Sequence, residues 1–183
     1  AVISCSSLRY GTNTQAVRNG AIGRVVSAET ESPMTIEPTH PELFWYGIHG
    51  VESLLTVMGA GCRSVRRRVL EDGRVEVLGT WADGRTGVYR QSKNNEGYGG
   101  IARGERGEHP IGTSSGYGPM LREVVRFFRT GEKPIPEQET IEILAFMEAA
   151  EISRQREGAE VSLEEVLRAA EKEAQRLISA SRP

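Results

Sequence analysis

The sequence predicts an α+β domain, with a mostly antiparallel open sheet and helices packed on one face. Three observations carry that reading. Residues 62–107 run in short period-two stretches divided by Asp72-Gly73 and Asp83-Gly84, and Asp-Gly between alternating runs is a strong hairpin signal. Residues 42–58 repeat apolar positions at spacings of three and four, the period of a helix with one buried side. Three further segments after residue 117 do the same, which supplies a helical layer for the sheet.

Taken in order, the opening run AVISCSSLRYG is apolar and β-prone and reads as a strand cut into from an upstream segment. GTNTQAVRNGAIGRVVSAET reads as helix, turn, strand. Thr12 or Asn13 caps a short helix, Gly20 and Gly23 end it, and Val25, Val26 and Ala28 form a strand. Prolines 33, 38 and 41 then mark a loop longer than the usual ~4–6 residues, a candidate functional segment. Pro41 suits the first turn of a helix running from about Glu42 to Met58, which Gly59 and Gly61 stop. Phe44, Ile48, Val51, Leu55 and Met58 form its core stripe, and Trp45, His49, Glu52 and Thr56 the stripe beside it. His49 therefore sits at the margin of the buried side, where a residue lining a cleft would sit.

Cys62 to about Gly107 reads as a meander of at least four antiparallel strands. In Arg66-Arg67-Arg68 two side chains share one face and the third takes the other, a solvated sheet face. The helices that follow carry Leu121, Val124 or Val125 and Phe128; then Ile141, Leu144, Ala145, Met147 or Glu148, and Ile152. The last begins at Ser162, three residues before Glu165, as in a capping box.

Composition narrows the function classes. A chain of 183 residues suits one domain, and its net charge of −2 gives no reason to expect nucleic acid. No apolar run reaches the roughly 18 residues of a membrane span. Cys5 and Cys62 make neither a disulfide framework nor a metal knuckle, so a reduced, cytoplasmic compartment is the default, and an exported protein whose signal had been trimmed away would read the same. No G-x-G-x-x-G bridges a strand and a helix.

The order of elements, with SSLRYG, NGAIGRVV, HPELFWYGIHGVESLLTVMG, YGGIARGERG and EQETIEILAFMEAAEISRQREGAEVSL, resembles the C-terminal α/β domain of the Gfo/Idh/MocA oxidoreductases. These are the glucose–fructose oxidoreductase and inositol dehydrogenase relatives, and the resemblance covers nearly all of residues 1–183. It implies a glyceraldehyde-3-phosphate-dehydrogenase-like C-terminal domain that shapes a sugar or polyol pocket and forms homo-oligomers through its open sheet face. NAD or NADP would be held by an N-terminal Rossmann domain upstream of Ala1, together with the family's Glu-Lys-Pro lysine; this chain alone is expected to bind neither cofactor. Glu132-Lys133-Pro134 lies between two helices and is not that lysine segment.

By the same resemblance, His49 is the group that accepts the substrate hydroxyl proton. A neutral imidazole, with an ordinary pKa near ~6.5, suits that task. The family often places an aspartate four residues earlier, where this chain has Trp45, and an indole cannot orient or charge-stabilise an imidazolium. Glu52 offers a carboxylate from the other side. Trp45 serves either as packing or as a stacking wall for a sugar ring, whereas Tyr46 reads as packing. His40 in the proline-rich loop either reaches the cleft or stays at the surface, and Arg9 is a substrate contact or a salt-bridge partner. Glu37, His40, His49 and Glu52 match no metal-ligand spacing, so no metal is expected. The alternative to an enzyme domain is a non-catalytic relative that binds a ligand or partner.

Overall fold

The computed structural model describes residues 3–180. Seven strands form one sheet, β1 Val25–Ser32, β2 Cys62–Val69, β3 Val75–Trp81, β4 Thr86–Gln91, β5 Gly99–Gly104, β6 Gly107–Pro110 and β7 Val161–Ser162. The helices are α1 Thr12–Arg18, α2 Gly47–Met58, α3 Gly118–Thr130, α4 Glu137–Gln155 and α5 Leu163–Ala180.

Strand order is β6-β5-β1-β4-β3-β2-β7. The two Asp-Gly turns close the β2–β3 and β3–β4 hairpins, but the meander stops there. β1 lies between β4 and β5, parallel to the first and antiparallel to the second. The link from β4 to β5 explains this departure. It is a longer loop through a 3-10 turn, Lys93–Asn95, with Asn94 and Asn95 at φ 55° and 58°. Such a link can step over a strand, which a tight Asp-Gly turn cannot. The opening run is likewise not a strand where it is described: Ser7–Tyr10 is a 3-10 turn capped by Ser6 Oγ. Residues 1 and 2 of that run lie outside the described residues.

α2 lies over β1 and β4, and α4 over β2. From Gly50 to Met58 every residue of α2 is buried. Its close seat depends on two glycines. A Cβ on Gly50 would meet the Tyr89 ring at 2.7 Å, and one on Gly47 would meet Leu43 at 2.9 Å. The helix does not reach back to Glu42: Glu42–Phe44 is a separate 3-10 turn, and α2 starts only at Gly47.

Two predicted helix faces and one predicted cap differ. On α3 the buried side chain is Phe127, while Leu121, Val125 and Phe128 face solvent. On α4 the sheet-facing row is Ile143, Phe146, Met147 and Ala150, leaving Ile141 and Leu144 exposed. Ser162 Oγ accepts from the Glu164 N–H at 3.2 Å, whereas Glu165 pairs with Arg156, so the capping box is only half formed. Each helix has apolar residues on more than one side, and period alone does not say which side meets the sheet.

Val65, Val75, Val77 and Trp81 point under the helices and are buried within this domain. The open sheet face is instead crossed by an ion-pair ladder, Arg103–Glu29–Arg90–Glu76–Arg68, spanning β5, β1, β4, β3 and β2. Arg67, expected on a solvated surface, is buried against Glu42 and Glu151. No described helix is long and apolar enough to cross a membrane.

Candidate functional site

His49 stands in the first turn of α2 and is half-buried. Its Nδ1 is 3.0 Å from Ser6 Oγ, and Nε2 has no hydrogen-bond partner among the described residues. Where Nδ1–H donates to Ser6, Nε2 keeps its lone pair, the form a general base needs. Burial holds the imidazole pKa below its ordinary value, so the ring is neutral near pH 7.

Four other rings adjoin it in series. Tyr46 and Tyr98 meet His49 edge-on, with centroids at 6.0 and 6.1 Å. Trp45 lies 6.2 Å from Tyr46, and His40 lies 4.9 Å from Trp45. Trp45, Tyr46 and Tyr98 are 42, 39 and 36% exposed, enough to offer ring surface to a ligand. Because α2 begins after Trp45, that residue is not one helical turn below His49. Tyr46 is the direct neighbour instead.

The sequence reading missed Tyr98. Its only local signal was an aromatic residue in a turn-rich Asn-Asn-Glu-Gly loop. The structure shows what places it: Asn95 Oδ1 accepts from the Met34 N–H at 2.6 Å, and its Nδ2 donates to Thr35 Oγ1 at 3.1 Å. This clasp ties the Tyr98 loop to the proline-rich loop that carries His40.

Glu52 and Arg9 are not at the ring surface. Glu52 accepts the Ser6 N–H and the Arg9 Nε–H, each at 2.7 Å. Arg9 also donates to Glu139 at 2.8 Å and lies in the interior. Neither is exposed to contact a substrate from this surface, and Glu52 supplies no carboxylate to His49. Glu52 instead holds Ser6, and Ser6 bonds the imidazole. Lys133 lies between α3 and α4, paired with Glu137. Among the described residues no three metal-ligating side chains come together.

A pyrophosphate cradle needs a free glycine-led helix start. Gly11 leads into α1, but that position is filled. The Thr12 N–H donates to Ser115 Oγ at 2.9 Å, and a Cβ on Gly11 would meet Thr113 O at 2.3 Å. The start of α1 therefore does not fit a pyrophosphate. A cavity of about 1110 Å³ lies between β2, β3 and α5, and none of the five rings lines it. The ring surface is the better candidate on chemical grounds, because it joins a neutral base to exposed aromatic faces.

Neither a family model nor a curated protein sequence matches the chain. Solved structures do. A myo-inositol dehydrogenase from Corynebacterium glutamicum superposes with a TM-score of 0.66 at 15% identity, over 86% of this chain and 63% of its own. A myo-inositol dehydrogenase from Lactobacillus casei, in complex with NAD(H) and myo-inositol, gives 0.65 at 13%, over 85 and 60%. A scyllo-inositol dehydrogenase from the same organism, with bound NAD(H) and scyllo-inositol, gives 0.59 at 12%, over 87 and 62%. What is shared at these identities is the fold, and the chain spans less than two thirds of each of those proteins.

Proposed function

We propose that this chain is the substrate-binding and oligomerisation domain of a cytoplasmic Gfo/Idh/MocA-type oxidoreductase, dependent on NAD or NADP and acting on a sugar or polyol-like substrate. The observation that carries the reading is His49, neutral and half-buried, with one ring nitrogen unbonded beside Tyr46, Tyr98 and Trp45. The C–H face of a pyranose or cyclitol stacks on the exposed rings, with His40 at the outer end of the row. One hydroxyl then donates to His49 Nε2, which takes its proton as the carbinol carbon is oxidised. The nicotinamide that accepts the hydride would be held by a domain outside this sequence. Glu52 and Arg9 act from the interior, holding Ser6 against the imidazole. Homo-oligomers form through the open sheet face, where the ion-pair ladder supplies a polar, self-complementary surface.

A second reading rests on Trp45 and on the lack of any carboxylate on His49. Without one, the imidazolium is less stabilised, and the surface would bind a polyol without turning it over. Assaying the full-length protein with NAD and NADP against a panel of inositols and aldoses separates the two. Reduced nicotinamide produced with a polyol supports the oxidoreductase; saturable polyol binding without turnover supports the second reading. Neither turnover nor binding overturns both.

A further inference from the structure

A second cavity, of about 370 Å³, lies between the Ser7–Tyr10 turn, α1 and the start of α3. Three arginines line it, Arg9, Arg18 and Arg122. Arg9 is 2% exposed; its Nε and Nη1 hold Glu52 and Glu139, but its buried Nη2 has no hydrogen-bond partner. A guanidinium N–H enclosed without an acceptor is rare enough to need a cause.

The neighbouring acids do not supply that acceptor. Glu52 is shared between Arg9 and the Ser6 N–H, and Glu139 between Arg9 and both Nη atoms of Arg18. Glu123, in the cavity wall, is taken by Arg126 at 2.8 Å. Arg122 is exposed and makes no ion pair among the described residues. α3 begins at the same place, with Pro119 in its first turn and no side-chain cap, so the positive end of a 13-residue helix adds to the field.

We propose that this cavity binds the oxyanion group of a small molecule, a carboxylate or a phosphate, with Arg9 Nη2, Arg18 and Arg122 as donors. Guanidinium forks match the oxygen pairs of both groups. The site goes beyond the oxidoreductase reading and stands whether or not that reading holds.

The test is calorimetric titration of the 183-residue chain with inorganic phosphate and with citrate, at constant ionic strength, with chloride as control. Saturable single-site binding is expected, tighter for phosphate if the natural group is a phosphate and tighter for citrate if it is a carboxylate. Arg122→Ala should leave the melting temperature of the unliganded chain unchanged and weaken binding about tenfold, the loss of one charge-assisted contact. Arg122→Glu should abolish it. No saturable heat with either anion overturns the proposal. Binding unchanged in Arg122→Ala also overturns it, and would mean an adventitious ion only.

Discussion

Replacing Gly50 with alanine sets helix propensity directly against the packing of α2. In an unconstrained helix the change would stabilise by about 1 kcal/mol. Here the added Cβ would stand 2.7 Å from Tyr89 Cε2, 2.8 Å from Ser32 Oγ and 2.9 Å from Tyr89 Cδ2. Tyr89 has no room to yield, being fully buried, with its hydroxyl 3.4 Å from Ser32 O. Overpacking of this kind costs about 1–3 kcal/mol, and more when the obstacle is rigid. The clash should exceed the propensity gain and leave a net loss of up to about 2 kcal/mol. At this chain length that lowers the melting temperature by up to about 8 °C. Thermal melts followed by circular dichroism measure it, with Gly118→Ala as a control, since its Cβ meets only Arg122 Nη1 at an ordinary 3.6 Å. Gly50→Ala melting at or above the parent would refute the close seating of α2, and with it the placement of His49.

Other outcomes follow from the same geometry. Glu76 is buried and bound by Arg68 Nε and Arg90 Nε, each at 2.6 Å, so Glu76→Ala should cost about 1–2 kcal/mol in urea unfolding, less than a fully buried pair because both arginines reach solvent. An unchanged midpoint would show that the ladder is not formed in solution. Burial lowers the His49 pKa; as pH falls through about 6.5 the unfolded chain binds a proton that the folded chain refuses. That contribution is fully present above this value and declines below it until folded His49 is itself protonated, so urea midpoints should drop more between about pH 7.5 and about pH 5.5 in the parent than in His49→Asn. Equal drops would mean the ring is not desolvated. If the open sheet face is the oligomer contact, light scattering should give dimers or larger at micromolar concentration, dissociating in salt as exposed ion pairs are screened. A salt-independent monomer would count against it.

Much of the fold was legible because strong local signals coincide with real turns. Asp72-Gly73 and Asp83-Gly84 close the two hairpins, and Gly131, at φ 74° with its N–H on Phe127 O, ends α3 in the left-handed conformation that glycine favours. The insertion of β1 between β4 and β5 was not legible, because strand neighbours far apart in sequence leave no local mark. Arg67 reads as surface by type and is buried only because Glu42 and Glu151 arrive from two other elements. At the site, helical spacing put His49 at the edge of the buried side, and the fold keeps it there, half-exposed. Spacing also paired it with Trp45 and Glu52, whereas the break before Gly47 substitutes Tyr46, and Arg9 draws Glu52 inward. Tyr98 enters from a loop whose course depends on the Asn95 clasp, a contact across 61 residues that no periodicity reveals.

If His49 is the proton acceptor, turnover of the full-length protein should depend on it, and His49→Asn measures that dependence. Asparagine keeps a polar group near Ser6 but cannot take a proton at neutral pH. The fold should survive, with a melting temperature close to the parent's, while kcat for polyol oxidation falls on the order of 10²–10⁴. Turnover within a few-fold of the parent, or a kcat loss explained by a collapsed melting temperature, would contradict the assignment and leave His49 as a packing residue.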